Sequence, residues 1–577
     1  MKNGFVHKDF IRERSHLQLI GALIVISFFL LMYGNQLVSL THPDEVFYTE
    51  TVKEMIRYHS WMTPYIFDAP QFEKPILFYW LLIIAVKWWG LTAFAARFWP
   101  AIFGMFGVIM TYWFSIILFG NKRLAFFSGL ILCSSFIYLA LSRAVLTDMV
   151  FSIWVNLSII SFYYAYIQSN ERPGRAVYQN AGIILCFICS GLAVLTKGIL
   201  GFLFPTSVII IFLLYKKDFS YLSKRAFGVG LVLFLIVTIP WHAWMIKLYG
   251  HRFFDEYLKN VHIRRIFEAE HQKSNTWYFY LLTVFAGVFP WSLFSISAVY
   301  CAFKKIQNDD HHKSHLVFLF VWVISMYCII QLPQSKLASY ILPIFPALAI
   351  LIGYYFEHIL EQSPDLVRTK IMRLFSYGLA GGLFALAVTL PILARHYKQI
   401  VGDLLPVYIF SSLISLCSLF ILALVRRYQY AAAISVISLI PIIAILIVLL
   451  GYSKAEPWVS CKKISDELIK IDHSNFIILS SKFYVRGVKF YTNRKIAAMD
   501  INGKGFFSPH PIPILNTDTQ VLRFLETQPI TYCVLKKSDV EDIERIIGGI
   551  FKVDNLGNSG GKYILRVTKK SEKFIDR

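Results

Sequence analysis

Runs of apolar residues, roughly 17 to 25 long, recur along this chain and limit how it can fold more than any other feature. A run of that length crosses about 30 Å of hydrocarbon as an α-helix. Inside a bilayer a segment must satisfy its own backbone hydrogen bonds, so such runs are helical. The chain is 56% hydrophobic and 16% charged, whereas soluble domains carry about 25% charged residues. We therefore predict a mainly α-helical, polytopic membrane protein.

Thirteen spans are predicted from these runs. They lie near residues 16–36, 97–119, 124–142, 148–167, 179–196, 199–215, 226–244, 278–303, 314–332, 339–357, 372–394, 404–425 and 430–451. The first lacks a small-residue cleavage site, which is typical of a signal anchor. The stretch 76–90 is shorter, contains Lys87 and ends in paired tryptophans, which favours a helix at the membrane surface.

Lysine and arginine gather in alternate loops. These are Lys2, Lys8, Arg12 and Arg14, then Lys122 and Arg123, Arg172 and Arg175, Lys216, Lys217, Lys224 and Arg225, Lys304 and Lys305, Arg368, Lys370 and Arg373, and Arg426 and Arg427. The positive-inside rule places these loops in the cytoplasm. The opposite face then receives the long loops 37–96 and 245–277, provided that 76–90 does not cross.

Two function classes find no support in the sequence. The net charge of +22 is explained by cytoplasmic loops and contacts with lipid phosphates, and no motif indicates nucleic-acid binding. A glycine-rich phosphate loop is also missing, which argues against an ATP-driven pump and a nucleotide cofactor.

The composition changes at about residue 452, where short β-like runs alternate with helical stretches. We predict a transmembrane domain at 1–451 and a small α/β domain at 452–577 outside the membrane. Cys461 and Cys533 fall in the second domain, and the sequence leaves open whether they form a disulfide. The other six cysteines lie in apolar runs and are interpreted as packing residues.

The first long loop opens with Thr41-His-Pro-Asp-Glu45, followed by Tyr48. Thr41 can cap a helix with Pro43 in its first turn, and the two acids favour the positive end of the helix dipole. This structural role explains one acid well. Helical spacing also places Asp44 and Tyr48 on one face, so Asp44 is kept as a chemical candidate.

Glu73 and Lys74 follow in the same loop, directly before the predicted interfacial helix. A neighbouring Glu–Lys pair is ordinary on a solvated surface. Beside a membrane surface, however, Lys74 can hold a lipid phosphate, while Glu73 can orient it or bind a cation.

Further polar groups stand in the remaining loops of this face. Asp148 lies between two spans, where acids are functional candidates, although a helix N-cap is the alternative. Lys197 stands in a tight turn. His262 and Arg265 are three residues apart, and Lys336 and Tyr340 are four apart, so each pair would share a face of a helix. Several cations and a few acids on one side suit a reaction between phosphate-bearing lipids.

These motifs resemble those of a known family. They are His42-Pro-Asp-Glu45 with Tyr48, Phe72-Glu-Lys-Pro75, Thr147-Asp148, Leu195-Thr-Lys-Gly198, Pro240-Trp241, Val261-His262 with Arg265, Pro290-Trp291, and Lys336 with Tyr340-Ile-Leu. Over about residues 37 to 350 the chain resembles the bacterial 4-amino-4-deoxy-L-arabinose lipid A transferases, within the protein-O-mannosyltransferase-like polyprenyl-phosphate-dependent glycosyltransferases. Gln71 departs from the pattern, since the family often has an aromatic residue there.

The resemblance implies a GT-C fold in the bacterial inner membrane, with its site and C-terminal domain in the periplasm. It implies an undecaprenyl-phosphate-linked amino sugar as donor and a lipid A phosphate as acceptor. By motif, Lys74, Arg265 and Tyr340 would hold the donor phosphate, and Glu73 with His262 would form a candidate divalent metal site. Sugar and acceptor contacts are assigned to Tyr48, Lys197 and Lys336, and catalysis to Asp44 and Asp148.

The chemistry follows from the charges. Attack at the anomeric carbon passes through a cation-like state and releases a lipid phosphate, whose growing negative charge Lys74 and Arg265 can stabilise. A nearby carboxylate can stabilise the sugar cation. If the acceptor is a phosphate, Asp44 and Asp148 mainly position the sugar. If it is a hydroxyl, one Asp, preferably Asp44, acts as general base.

Two alternatives stay open at this point. One is a related transferase that acts on a protein or another glycan. The other is a lipid carrier or flippase, which should show paired broken helices or internal symmetry with charges near mid-span. Here the charges gather at one face and no repeat is visible, which favours the transferase.

Overall fold

A computed structural model describes residues 3–170, 176–268, 274–308, 312–361, 366–398, 402–501, 503, 506 and 510–570. The predicted loop cations Arg172 and Arg175 lie outside the described residues, as does the backbone after Lys570.

The transmembrane part is a bundle of helices with short connections. Its helices are α1 (Asn3–Leu31), α2 (Asp44–Arg57), α3 (Leu77–Trp89), α4 (Ala93–Phe119), α5 (Lys122–Ser134), α6 (Phe136–Ser142), α7 (Thr147–Asn170), α8 (Ala176–Lys197), α9 (Leu200–Lys216), α10 (Arg225–Phe253), α11 (Arg264–Phe267), α12 (Phe279–Gly287), α13 (Ser292–Gln307), α14 (Lys313–Gln331), α15 (Phe345–Glu361), α16 (Leu366–His396), α17 (Leu405–Arg426) and α18 (Tyr430–Val459). Two 3-10 helices (Phe219–Ser223 and Ala338–Ile344), a π-helical turn (Phe254–Ile263) and a two-stranded hairpin of β1 (Tyr65–Ile66) with β2 (Ala69–Pro70) complete this part.

Every predicted span falls on helical structure. Among the described residues, 9 helices are long and apolar enough to cross a membrane, or up to 11 if each of two bent pairs counts as one span. The predicted spans 16–36 and 199–215 coincide with shorter apolar helices. The chain is a multi-pass membrane protein, as predicted, and the count of thirteen spans stays a prediction. Helix α3 has 13 residues, about 20 Å, which is too short to cross about 30 Å of hydrocarbon.

Two predicted spans are broken rather than straight. α5 and α6 meet at 64°, and α12 and α13 meet at 105°. The two breaks contact each other: the backbone N–H of Phe136 donates to the carbonyl of Phe289 at 3.0 Å, and Trp291 Nε1 donates to Ser134 Oγ at 2.9 Å. Backbone groups freed by each break are therefore satisfied inside the protein, as a bilayer requires.

Contacts join several of the predicted cytoplasmic loops at one end of the bundle. Arg123 pairs with Glu357 and joins the start of α5 to the end of α15. Tyr163 near the end of α7 contacts His315 near the start of α14, and Lys224 donates to Ser169. These contacts agree with the alternation expected from the charges.

The C-terminal region is an α/β domain built on one mixed sheet. Its strands are β3 (Ile478–Ser481), β4 (Ile496–Met499), β5 (Ile514–Leu515), β6 (Ile530–Lys536), β7 (Phe551–Ser559) and β8 (Lys562–Lys569), in the order β5-β4-β3-β6-β8-β7. The first four are parallel, while β8 is antiparallel to both β6 and β7. Its helices are α19 (Lys462–Ile471), α20 (Val485–Thr492), α21 (Asp518–Glu526) and α22 (Lys537–Ile547).

The predicted small α/β domain is therefore confirmed as a fold, and α18 runs on to Val459, past the boundary drawn at 451. Cys461 and Cys533 are both free, buried thiols on separate elements. Cys461 Sγ lies 3.6 Å from His42 Nδ1 instead.

The C-terminal domain rests on the first long loop. Ser460 Oγ and the Tyr491 hydroxyl both donate to the carbonyl of Leu40, at 2.8 and 3.0 Å. Lys53 Nζ on α2 donates to the carbonyl of Phe490 at 3.2 Å. One apolar cluster contains residues from both parts, among them Val46, Phe78, Cys461, Val488 and Ile564. Loop and domain therefore form one packed unit above the bundle.

Candidate active site

The first loop is anchored by a buried ion pair that sequence analysis missed. Glu45 accepts from Arg97 of α4 through both carboxylate oxygens, at 2.7 and 2.5 Å. Thr41 donates to it through its hydroxyl and backbone N–H, and so does the backbone N–H of Val145. Burial alone would raise the pKa of Glu45, but Arg97 and Thr41 hold it below its ordinary value. Glu45 therefore has a structural role.

Asp44 occupies the first position of α2. Thr41 was predicted to cap this helix, but its hydroxyl donates to Glu45 instead. Its side chain is exposed, whereas Tyr48 one turn later is buried against Phe78 and Tyr79. Burial raises the pKa of Tyr48 well above its ordinary value, and the neighbouring acids, including Asp44 and Asp148, add to the shift. The helix thus carries Asp44 and Tyr48 to the same place, as predicted.

Gln71 shapes the segment that follows. Its side-chain amide donates to the Tyr79 hydroxyl at 2.7 Å, and its amide oxygen accepts from the backbone N–H of Glu73 at 2.9 Å. The residue that departs from the family pattern therefore fixes the backbone next to two candidate site residues.

Lys74 lies at the centre of the candidate site. Burial, followed by the positive charges of Arg265 and Lys197, lowers its pKa to about 8, while Glu73 and Asp148 oppose the shift. Burial would raise the pKa of Glu73, but surrounding cations, with Arg486 the strongest, hold it below its ordinary value. The first loop, the second long loop and two transmembrane helices therefore bring their charges together here.

Asp148 and Lys197 form a buried ion pair. Lys197 Nζ, at the end of α8, lies 2.5 Å from Asp148 Oδ1, at the start of α7. The same ammonium group stands over the ring of Tyr340, 4.3 Å from its centre. A cation above an aromatic face is favourable, so three predicted site residues are held as one unit.

Backbone hydrogen bonds bring the segment that precedes Lys336 next to Arg265. The backbone N–H groups of Gln334 and Ser335 donate to the carbonyls of Ile266 and Arg265, both at 3.1 Å. Lys336 Nζ donates to Asn275 Oδ1. The predicted shared face of Lys336 and Tyr340 is wrong, because the 3-10 helix begins only at Ala338. Tyr340 faces Lys197, while Lys336 contacts the second long loop.

Arg486 on α20 is a residue of the C-terminal domain that reaches the site. Its Nη1 lies 3.9 Å from Asp44 Oδ1 and its Nη2 lies 3.9 Å from Glu73 Oε1. Its guanidinium group stands 4.6 Å from the centre of the Phe47 ring. Sequence analysis missed it, because the only signal is one arginine in a domain without a catalytic motif.

The candidate metal site is incomplete in the described part of the chain. Among those residues, no group of three or more His, Cys, Asp or Glu side chains converges to hold a metal ion. The side chain of His262, the predicted partner of Glu73, lies outside the described residues. Glu73 is neighboured by cations, a setting that does not favour a further positive ion.

An apolar cavity of about 440 Å³ opens beside this cluster between α8, α9, α10 and the π-helical turn. Its lining includes Ile199, Phe202, Phe253 and Tyr257. Phe253 packs edge-on against Phe72, the residue directly before Glu73. The apolar cavity therefore adjoins a cluster of cations and carboxylates. A phosphate on a lipid tail requires both, apolar space for the tail and cations for the phosphate.

Residues 18–305 match the family model described as dolichyl-phosphate-mannose-protein mannosyltransferase. This match covers just under half of the chain, from within α1 to within α13. Among curated relatives it is 30% identical over 342 residues to undecaprenyl phosphate-alpha-4-amino-4-deoxy-L-arabinose arabinosyl transferase 2 of Proteus mirabilis, covering 58% of this chain and 59% of that protein. It is 28% identical to transferase 1 of the same organism, covering 64% of each. The match thus spans about three fifths of these curated relatives.

Solved structures share this fold over nearly the whole chain. ArnT from Cupriavidus metallidurans, in a crystal structure bound to undecaprenyl phosphate, superposes with a TM-score of 0.77 at 17% identity, covering 95% of this chain and 97% of that one. The archaeal oligosaccharyltransferase AglB from Archaeoglobus fulgidus superposes with a TM-score of 0.52 at 13% identity, covering 91% and 70%. The protein therefore has an ArnT-like GT-C fold with a C-terminal sheet domain, as predicted.

Proposed function

We propose that this protein transfers an amino sugar resembling 4-amino-4-deoxy-L-arabinose from undecaprenyl phosphate to a phosphate of lipid A, at the periplasmic face of the inner membrane. The observation that carries the proposal is the position of Lys74. It lies half-buried among Arg265, Lys197, Glu73 and Asp148, with the apolar cavity behind the adjoining Phe72. The family match and the named relatives support the same donor class.

In this proposal the cations stabilise the leaving group. The bond between the anomeric carbon and the donor phosphate oxygen breaks, and its electron pair stays on that oxygen. Lys74 and Arg265 offset the new negative charge, and Tyr340 contributes its hydroxyl to the same phosphate. Because burial lowers the pKa of Lys74 to about 8, the phosphodiester anion of the arriving donor would also hold this lysine in its charged form.

The two catalytic acids then take different parts. Asp148 is already paired with Lys197, so it fixes that lysine and the adjoining Tyr340. Asp44 is exposed at the start of α2 and can contact the sugar or its amine, with Tyr48 behind it. A lipid A phosphate attacks as an anion and gives up no proton. If the acceptor is a hydroxyl, its proton passes to Asp44.

Lys336 is proposed to meet the acceptor at the rim of the site, where it contacts Asn275. A divalent cation at Glu73 and His262 stays part of the proposal. Metal analysis of the purified wild type and of the Glu73→Gln variant tests whether this cation binds.

The test uses purified protein in nanodiscs with undecaprenyl phosphate-linked 4-amino-4-deoxy-L-arabinose, and with either lipid A or an acceptor peptide. We expect sugar on lipid A, no requirement for a nucleotide sugar, and no product from Asp44→Asn or Lys74→Ala variants that fold normally. Product on the peptide alone would move the acceptor to protein. Passage of the donor across the bilayer without transfer would support a carrier.

The orientation is tested separately. Reporters fused before Met1 and after Arg577 should report a cytoplasmic N-terminus and a periplasmic C-terminus. A cytoplasmic C-terminus would mean that α3 crosses the membrane and would divide the proposed site between the two faces.

A further inference from the structure

We propose that Arg486 of the C-terminal domain is a positioning residue of the active site, holding the carboxylates of Asp44 and Glu73 in place from above. This inference rests on the proposed function for its kinetic test. It makes the docked C-terminal domain a part of the site.

The contacts of Arg486 point to positioning. It approaches two carboxylates from two different parts of the first loop, each at 3.9 Å. At that separation the groups attract each other but do not form direct hydrogen bonds. The arginine therefore sets the spacing of the two acids and leaves room between them. A planar guanidinium group suits this bridging geometry better than an ammonium group.

Three neighbours fix the guanidinium group itself. One face lies over the ring of Phe47. Nε and Nη2 approach His510 Nε2 at 3.3 and 3.0 Å. The His510 ring stacks on Phe506, with 4.2 Å between ring centres. Two packed aromatic surfaces and an imidazole hold the arginine in one orientation, as a positioning role requires.

The backbone of α20 is built to come this close. A Cβ on Gly487 would stand 2.8 Å from Cys461 Sγ and 3.4 Å from His42 Cβ. Glycine at this position therefore lets α20 pack closely on Cys461, whose thiol lies 3.6 Å from His42 Nδ1 of the first loop, and Arg486 is its neighbour. The nearby pair of Lys489 with Asp68, at 3.6 Å, holds the same helix against the hairpin of the first loop.

The kinetic test compares Arg486→Ala and Arg486→Lys with Arg523→Ala, an exposed arginine of the same domain. We expect Arg486→Ala to lower kcat about 10- to 100-fold, because small displacements of reacting groups cost that much. The KM for the lipid-linked donor should change less than about threefold, since the donor phosphate is held by other cations. Added guanidinium ion should restore part of the Arg486→Ala rate, and Arg486→Lys should fall between.

Equal rates in Arg486→Ala and Arg523→Ala would overturn the proposal. So would a loss of Arg486→Ala activity that appears only in donor KM, because that result would make Arg486 a phosphate ligand. A merely structural role would lower the amount of folded protein without guanidinium rescue.

A second measurement needs no turnover. Apparent melting temperatures are compared for Arg486→Ala, Glu73→Gln and the double variant in full-length protein. We expect the shifts to be non-additive because the two groups interact. Additive shifts would show that Arg486 and Glu73 do not interact, and would overturn the proposal. Non-additive shifts in a protein whose wild type has no transfer activity would overturn the proposed function but support the interaction.

Discussion

Lys197 and Asp148 join the end of α8 to the start of α7 through one buried ion pair, with 2.5 Å between Nζ and Oδ1. Both side chains are largely shielded from solvent. Their pairing explains how two charges can stand at the edge of an apolar bundle, since each compensates the other.

Replacing one partner of this ion pair should destabilise the protein more than replacing both. We expect Asp148→Asn and Lys197→Met to destabilise the protein by about 3–5 kcal/mol each, because each leaves an uncompensated buried charge. The double variant should recover most of the melting temperature but not the transfer activity, since the positive charge beside Lys74 and Tyr340 is gone. A double variant as unstable as the single ones would contradict this account.

Asp44 and Glu45 are neighbours with different expected phenotypes. Asp44→Asn should express and melt like the wild type while transfer is lost, because the side chain is exposed at the site. Glu45→Gln should lower stability by about 3 kcal/mol or more, since it leaves Arg97 buried without its counter-charge. Yield, melting temperature and transfer rate, measured side by side, separate the two roles. If Asp44→Asn lost stability and Glu45→Gln lost only transfer, the two residues would have the opposite roles.

Gln71 should affect the transfer rate by holding the backbone of Glu73 in position. We expect Gln71→Ala to reduce transfer about 10-fold and to destabilise the protein by about 1–3 kcal/mol, because it removes the hydrogen bonds to buried Tyr79 and to the Glu73 backbone. Gln71→Glu keeps an acceptor for the backbone N–H and serves as the matched variant. Wild-type rates in Gln71→Ala would show that the Glu73 backbone holds its position without this contact.

Glu54 on α2 should make stability depend on pH. Burial raises its pKa to about 7, with Glu50 and Asp68 contributing, while the Asp68 backbone N–H and Lys489 oppose the shift. Because the folded-state pKa lies above the ordinary value, the stability contribution is complete below about pH 4.5 and is lost as pH rises through about 7.

Glu54→Gln stays neutral at every pH, so it should stabilise the protein by about 1–3 kcal/mol at pH 8.5 and have little effect near pH 5. Apparent melting temperatures at both pH values measure this, with the exposed Asp466→Asn as control. The same stabilisation at both pH values would show that the carboxyl is not titrating.

Much of the fold follows from the sequence because long apolar runs have one solution in a bilayer. The transmembrane helices were predictable on that ground, and the α/β character of the last domain from the change of composition at about residue 452. The breaks at Ser135 and before Trp291 were not, since they depend on backbone groups that two distant segments satisfy for each other. The two-residue strand β5 was not predictable, since it is too short to show an alternating pattern.

The site was predictable where a motif carries its own chemistry. Glu73, Lys74, Asp148 and Lys197, which the structure brings together, were predicted because polar residues interrupt apolar or interfacial stretches. Arg97 and Arg486 were not, since nothing local distinguishes an arginine that will be buried against a distant partner. The Lys336–Tyr340 pairing failed because four-residue spacing implies a shared face only where a helix exists.

The packing of the first loop on the C-terminal domain also bears on the order in which the protein is made. Leu40 and His42 leave the ribosome more than 400 residues before Ser460 and Cys461, their partners in that contact. Contacts this distant along the chain close late in folding. A growing chain therefore carries Asp44 through most of its synthesis without the arginine that will stand above it. Under the proposed function, a half-made copy would work about 10- to 100-fold more slowly than the finished protein, so that folding of the last domain would set when full activity begins.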